Sequence, residues 1–222
     1  MDETIIDKVN NFWKHKDTKR YFWGDRLDVR YFLCSELSKH RNKKILDVAC
    51  GTGVVLNCLD KSNQIYGIDN DDSSIQICKS FNQKANLISG DIFTNNLKNN
   101  FFDIIVLAHV LPGHDYKSNK NAKDLIDLCY QWLKPDGLLY LTTPNGKNPY
   151  FARKNKITIE PLQDALSKFK YKIFGWNPLP IQSQKLLKYF PTTFKFLEAD
   201  LKNKKDPEKS VSFYVLAKKN II

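Results

Sequence analysis

The chain has 222 residues, a length typical of one undivided α/β domain with a core large enough to fold without disulfides or metals. Its composition, 42% hydrophobic and 13% aromatic with nine glycines and nine prolines, excludes a disordered or low-complexity protein. The acidic start at residues 1–4 and the lack of an apolar run of ~18–20 residues predict neither a secretory signal nor a membrane span, so we expect a cytoplasmic protein.

Cysteine content and net charge further limit the class of protein. Five cysteines, an odd number without a CxxC pair, indicate small buried side chains, and we expect no disulfide framework and no metal site. The formal charge of +11 is typical of proteins with an anionic partner such as nucleic acid. However, lysines are scattered among acids, and there are only five arginines to make bidentate phosphate or base contacts. Solvated surface charge is the favoured interpretation, and an anionic partner stays the alternative.

Along the chain, residues 4–39 predict two helices separated by the aromatic stretch 21–24. Apolar runs and helical patterns then alternate from about residue 44 to 145, the rhythm of βα units around a parallel sheet. Five strands are predicted in this part, at 44–49, 64–69, 85–90, 102–108 and 137–142. Capping residues and apolar spacing predict helices at 71–81 and 121–133.

After this region the pattern changes. Residues 145–160 are predicted as a loop or lid, 161–170 as a helix, 171–174 and 211–216 as strands, and 202–207 as a charged turn. We therefore predict an α/β fold, Rossmann-like and doubly wound, with a mostly parallel seven-stranded sheet and helices on both faces.

A nucleoside site is predicted where the first strand runs through a glycine turn into a helix, at 45–56. Glycine lets a ligand lie against the backbone there, and a helix start adds N–H donors. A dinucleotide turn needs a third glycine where Leu56 stands, and Asp47 lies within the strand before the turn. A carboxylate at that place suits an ammonium-bearing ligand, such as the methionyl part of S-adenosylmethionine, better than a pyrophosphate.

Two further carboxylates follow successive strands. Asp69 lies 18 residues after Gly51 and can accept the hydroxyl hydrogen bonds of a ribose. Asp91 can accept from an adenine amino group while Ile92 packs on the ring. Each aspartate alone could cap a helix or a turn, but the ordered set at three strand ends favours a nucleoside site.

These segments resemble a known family. The residues at 47–53, 67–69 and 90–92 resemble the first three motifs of class I S-adenosylmethionine-dependent methyltransferases. Those at 107–110 and 133–137 are similar to later motifs of the subgroup of quinone-biosynthesis and small-molecule methyltransferases. The resemblance covers about residues 40–145 and implies three parts of a single domain over 1–222: an N-terminal helical cap (1–40), a cofactor-binding core (41–145), and a substrate-side segment with C-terminal strands (146–222).

The resemblance implies S-adenosyl-L-methionine as cofactor and a role for each matching position. The methionyl moiety would be flanked by Asp47, Ala49, Gly51 and Gly53, and its carboxylate met by Arg30 or Arg26. The nucleoside would contact Asp69 and Asn70 at the ribose, Asp91 and Ile92 at the adenine, and the backbone of Val106 and Leu107. Ala49 stands where the family often has glycine, and Asp136 replaces the first glycine of a usual Pro-Gly-Gly.

Catalysis is predicted at the outlet of the fourth strand. Methyl transfer from a sulfonium depends mainly on alignment, and a base is needed only if the acceptor must lose a proton. His109 is the candidate base for a hydroxyl acceptor, and His114 follows in the same loop; a structural, hydrogen-bonded role stays open for both. The aromatic segments 21–23 and 174–180 either border the acceptor pocket or pack under a loop.

Three functions remain open. The first is a methyltransferase whose small-molecule acceptor carries a hydroxyl or another nucleophile. The second is an RNA or other nucleic-acid methyltransferase, which the missing Asn/Asp-Pro-Pro-aromatic tetrapeptide and missing Pro-Cys pair disfavour. The third is a non-catalytic cofactor-binding subunit. The sequence sets neither the acceptor nor the oligomeric state.

Overall fold

The computed structural model describes residues 8–9, 11–12, 27–111, 119–147, 157–176 and 206–220, with the backbone alone at 27–31 and 119–121. Seven strands form one sheet: β1 (Lys44–Val48), β2 (Gln64–Asp69), β3 (Asn86–Ser89), β4 (Phe102–Ala108), β5 (Leu133–Pro144), β6 (Phe169–Trp176) and β7 (Ser212–Lys219). Their order is β3-β2-β1-β4-β5-β7-β6, and β7 alone runs antiparallel to its neighbours. The predicted mostly parallel seven-stranded sheet is confirmed.

Helices cover both faces of the sheet, as predicted. The described helices are α1 (Leu27–Leu37), α2 (Val54–Cys58), α3 (Asp72–Phe81), α4 (Asn119–Trp132) and α5 (Ile159–Ala165), and a 3-10 turn covers Pro207–Lys209. Side chains of α1, α2 and α3 form one apolar cluster with one sheet face, and those of α4 and α5 form another with the opposite face. Residues 104–107 of β4 are buried continuously because parallel strands in such a sheet are covered on both sides.

Two helices form for the reasons read from the sequence. The Asp71 carboxylate accepts the backbone N–H of Ser73 and so caps α3. Hydrogen bonds from the hydroxyls of Ser74 and Ser73 lower the pKa of Asp71. In α4 the predicted apolar stripe is core: Leu125, Cys129 and Trp132 are buried.

Several predicted boundaries are wrong in the last third of the chain. The strand predicted at 137–142 spans Leu133–Pro144 and follows α4 directly, since Asp136 and Gly137 form an irregularity inside β5 rather than a turn before it. The helix predicted at 161–170 ends at Ala165, and residues 169–170 already belong to β6. Both β6 and β7 are longer than predicted because they pair with each other from Phe169–Lys219 to Trp176–Ser212.

The structure also describes the cysteines and part of the predicted aromatic segments. All five cysteines are free and buried. Within the described ranges no helix is long and apolar enough to cross a membrane. Phe174 and Trp176 lie in β6, where Trp176 packs 5.0 Å from the ring of Phe32 in the core. The aromatic stretch 21–24, Arg26, His114, and residues 148–156, 177–180 and 202–205 lie outside the described residues.

Candidate functional site at the carboxyl ends of the parallel strands

The sheet topology fixes where a ligand can bind. From β1 the chain moves outward through β2 to β3 and then returns to place β4 on the other side of β1. In open α/β sheets ligands bind beyond the carboxyl ends of the strands at such a reversal. Asp47 pairs in register with Gly67 of β2 and Val106 of β4, so the segments that follow these three strands adjoin one another.

The turn after β1 contains three residues in the left-handed region: Ala49 (φ 53°), Gly51 (φ 53°) and Gly53 (φ 86°). The two glycines serve different purposes. A Cβ built on Gly51 would meet no atom within 4 Å, whereas one on Gly53 would lie 2.4 Å from Cys78 Sγ. Gly51 therefore faces open space from which a ligand can reach the backbone, and Gly53 permits α3 to pack against the turn. The helix that follows, α2, has only five residues.

Asp69 joins the ends of β1 and β2. Its Oδ2 accepts the backbone N–H of Gly51 at 2.7 Å, and its Oδ1 accepts that of Asp71 at 3.0 Å. Each carboxylate oxygen has a second lone pair, so both can accept a further hydrogen bond from a ligand hydroxyl. Asn70, beside it, is exposed. The carboxylate thus shapes the glycine turn as well as offering acceptors at the site.

The segment after β3 brings a third carboxylate to the same edge. The Gly90 N–H donates to the Asp69 carbonyl at 2.9 Å, which ties the ends of β2 and β3 together. Asp91 is exposed, and its Oδ1 accepts the backbone N–H of Phe93. Ile92 is buried in the core beneath, while Phe93 is 40% exposed, more than any other large hydrophobic side chain described. The sequence reasoning missed Phe93, although a large apolar residue directly after the Asp-Ile pair was visible.

The remaining residues predicted to bind the cofactor differ in burial. Asp47 is buried within β1, 2% exposed. The side chains of Val106 and Leu107 are completely buried, so only their backbone could line a ligand. Arg30 lies on α1, and its side chain is outside the described residues.

His109 leaves β4 beside this turn and is half-buried, with a left-handed backbone (φ 59°). Its backbone N–H donates to the Thr142 carbonyl at 2.9 Å and to the Thr142 hydroxyl at 3.2 Å. These bonds hold the residue at the outlet of β4, where the sequence placed it. Thr142 was not predicted as part of the site, because its partner lies 33 residues away in the chain.

Two residues other than glycine have positive φ at this place: Ala49 and His109, which directly follow the adjacent strands β1 and β4. Histidine is among the types that tolerate this conformation, whereas for alanine it costs about 1–2 kcal/mol. Such strain is found preferentially at binding and catalytic sites.

Cys50 does not supply a nucleophile. A hydrogen bond with Cys78 and then burial raise the pKa of the Cys50 thiol, so it is protonated at neutral pH. No group of His, Cys, Asp and Glu that could hold a metal occurs among the residues described.

The chemistry of this edge fits S-adenosylmethionine better than a phosphate-bearing ligand. The segments 70–72 and 90–95 contain acids, and neither they nor the segments 49–53 and 109–111 contain a lysine or arginine. A positively charged sulfonium and amino group, with ribose hydroxyls as donors, match carboxylates, whereas a pyrophosphate would meet repulsion. The open approach at Gly51 provides the room.

Comparison with known proteins agrees with this geometry. Residues 46–141 match a family described as "Methyltransferase domain". The chain is 29% identical over 159 residues to the phosphoethanolamine N-methyltransferase of Plasmodium falciparum, a match covering 64% of this chain. It spans only 56% of that relative's length.

Solved structures share the fold. The plantazolicin methyltransferase BpumL in complex with SAH has a TM-score of 0.64 at 18% identity, with 99% of this chain and 96% of that chain covered. A SAM-dependent methyltransferase from Archaeoglobus fulgidus has a TM-score of 0.62 at 17% identity, with coverage of 91% and 97%.

Proposed function

We propose that this chain is an S-adenosyl-L-methionine-dependent methyltransferase acting on a small-molecule acceptor, which the match of residues 46–141 to a family described as "Methyltransferase domain" supports. The observation that carries the proposal is the junction of three strand ends through one residue, Asp69. Asp69 holds the Gly51 amide, and the Gly90 amide is held by the Asp69 carbonyl. The acids predicted for the cofactor thereby share one edge with the glycine turn.

The predicted residues would hold the cofactor in three groups. The methionyl part would be bound by Asp47, Ala49, Gly51, Gly53 and Arg30, the ribose by Asp69 and Asn70, and the adenine by Asp91, Ile92 and the backbone of Val106 and Leu107. Phe93, exposed beside Asp91, adds an apolar surface against which the adenine ring can pack. When bound, S-adenosylmethionine supplies a methyl group activated by a positively charged sulfur.

The protein's contribution to catalysis is mainly orientation. A fixed acceptor needs its nucleophilic atom in line with the methyl group, and such alignment supplies much of the rate. The backbone of His109 is held by Thr142 at the outlet of β4, and for a hydroxyl acceptor its imidazole would take the proton. His109 is therefore required only if the acceptor is a hydroxyl, which must lose its proton.

An amine is the second candidate acceptor. The relative from Plasmodium falciparum is named for N-methylation of phosphoethanolamine, and it aligns with 64% of this chain. A neutral amine already carries a lone pair, so alignment suffices and His109 would be structural. Turnover of a His109 variant distinguishes the two acceptor classes.

Nucleic acid is disfavoured as acceptor by the charge at this edge. An enzyme acting on a polyanion needs a continuous basic face around its site. In the described part of the chain, the segments after β2 and β3 supply carboxylates instead, and those directly after β1 and β4 contain no lysine or arginine. A non-catalytic cofactor-binding subunit is the other alternative, and it would differ from the enzyme only in lacking turnover. A screen of acceptor extracts with methyl-labelled cofactor detects turnover.

Calorimetry with S-adenosylmethionine tests the proposal. We expect Asp69→Ala to weaken binding by about 1–3 kcal/mol, because charge-assisted hydrogen bonds to the ribose and the support of the Gly51 amide are lost. Asp127→Ala is the control, since Asp127 pairs with Lys168 on the surface. Wild-type protein that binds no S-adenosylmethionine, or a folded Asp69 variant that binds as tightly as the control, contradicts the proposal.

A further inference from the structure

Charge is separated along the strand direction in the described part of the chain. The segments at the amino ends of the parallel strands, with the end of β7, form what we call the basic edge: 38–44, 59–64, 82–86, 96–102, 133–137, 166–170 and 218–220. It carries twelve lysines and arginines: Lys39, Arg41, Lys43, Lys44, Lys61, Lys84, Lys98, Lys134, Lys168, Lys170, Lys218 and Lys219. These segments contain two acids, Asp60 and Asp136, and Glu36, Asp103 and Asp127 from adjoining residues pair with Lys39, Lys134 and Lys168. The candidate site lies at the opposite, acidic edge.

Four cations of the basic edge lie close together around β1, β2 and β4. The ammonium groups of Lys44 and Lys98 lie 4.0 and 5.7 Å from the centroid of the same ring, Phe101. The Gln64 N–H donates to the Lys43 carbonyl at 2.8 Å, which brings the turn containing Lys61 beside Lys43. Four lysines from three separate loops therefore share one surface.

Seven of these twelve cations form no described ion pair, and one of the seven, Lys219, is buried. Ion pairs are described for Lys39, Arg41, Lys134, Lys168 and Lys218. No described carboxylate pairs with Lys43, Lys44, Lys61, Lys84, Lys98 or Lys170. Lys170 also lies directly opposite Lys218 in the β6–β7 register, where the Lys218 ammonium pairs with Asp136 at 2.7 Å. An anionic partner would supply opposite charge to the six lysines other than Lys219 that have no described ion pair.

We propose that the basic edge docks the protein on an anionic lipid bilayer. Docking on an anionic bilayer requires only a broad area of positive charge on the protein, and surface lysines provide that charge. Single-stranded nucleic acid requires exposed aromatic rings for stacking, and the exposed ring of Phe93 lies at the other edge. Eleven of the twelve cations are lysines, so the bidentate phosphate contacts typical of arginine are scarce.

The orientation has a consequence for the chemistry. With the basic edge on the bilayer, the carboxyl ends of β1 to β4 face the water phase. The acceptor and the cofactor would then reach the site from solution, and the bilayer would concentrate the enzyme without supplying its acceptor. This inference does not depend on the proposed methyltransferase activity.

Co-sedimentation with vesicles tests the proposal. We expect the full chain to bind vesicles of phosphatidylcholine with about one third phosphatidylserine at low salt, to dissociate at high salt, and to ignore pure phosphatidylcholine. The triple variant Lys43→Gln, Lys61→Gln, Lys98→Gln should partition on the order of 100-fold more weakly, because each lysine near an anionic surface contributes roughly fivefold.

A second triple variant controls for net charge. Lys123→Gln, Lys147→Gln, Lys209→Gln removes the same three charges away from the basic edge and should bind vesicles like the wild type. Thermal melting confirms that both variants are folded. Absence of binding to anionic vesicles, or equal losses in the two variants, overturns the proposal. Binding of an RNA hairpin, with the same dependence on Lys43, Lys61 and Lys98 but without vesicle binding, also overturns it.

Discussion

The two edges of the sheet use left-handed backbone differently. At the basic edge the residues with positive φ are Asn42, Asn100 and Asp136, types whose short polar side chains tolerate that conformation. At the opposite edge, glycines apart, they are His109, a type that also tolerates positive φ, and Ala49, for which the conformation is strained. Strain of this kind is found preferentially at binding and catalytic sites. The strained alanine therefore distinguishes the turn after β1 from the ordinary turns of the basic edge.

The largest expected effect is on turnover. Asparagine tolerates positive φ, so His109→Asn should preserve the backbone and its bonds to Thr142 while removing the imidazole. If the acceptor is a hydroxyl, kcat should fall by ~10²–10⁴-fold with cofactor affinity nearly unchanged. Steady-state kinetics with the identified acceptor measures this. Turnover near that of the wild type assigns His109 a structural role and favours the amine.

Gly51→Val should abolish cofactor binding. The new side chain would enter the space that is open at Gly51 and would also be strained at φ 53°. We expect the affinity for S-adenosylmethionine to fall by at least about 100-fold, the equivalent of ~2.7 kcal/mol, while circular dichroism shows that the sheet persists. Tight binding by this variant means that the ligand does not approach the turn here.

At the basic edge, Lys219 should matter for stability rather than binding. Its ammonium donates to Asn100 Oδ1 at 2.8 Å and to the Leu133 carbonyl at 2.7 Å, and burial lowers its pKa. Lys219→Met leaves that carbonyl without its donor, so the free energy of unfolding should fall by about 1–3 kcal/mol. Lys170→Met, which removes an exposed charge facing Lys218, is the control. Equal urea midpoints for the two variants contradict this assignment.

The smallest expected effect is a gain in stability. Ala49→Gly should relieve the left-handed strain of about 1–2 kcal/mol, partly offset by the ~0.4–1 kcal/mol lost to the freer unfolded chain. A net increase of roughly 0.5–1 kcal/mol in the free energy of unfolding is therefore expected. Denaturant unfolding measures it, and a loss of stability shows that the alanine methyl makes packing contacts worth more than the strain.

The sequence predicted the parallel half of the fold well because buried strands and capped helices are local patterns. β2 and β4 have their predicted bounds, and Asp71 caps α3 as expected. The errors fall where pairing decides the structure. β6 and β7 extend each other over eight pairs, and neither segment alone signals that length.

For the candidate site, the sequence identified the strand ends but not the bonds between them. That Asp69 binds the Gly51 amide depends on the register of β1 and β2, which periodicity does not determine. The support of His109 by Thr142 likewise depends on the pairing of β4 with β5. The contrast between Gly51 and Gly53 required the position of Cys78 on α3.

Hydrogen exchange with and without S-adenosylhomocysteine tests the central claim most directly. Amides that contact or frame a ligand exchange more slowly when it binds. The account predicts slower exchange at 49–53, 69–71 and 90–93, with the basic-edge segments 38–44 and 59–64 unchanged. Protection confined to the basic edge, or no protection at the strand ends despite saturating ligand, would contradict the placement of the cofactor at the carboxyl ends of β1, β2 and β3.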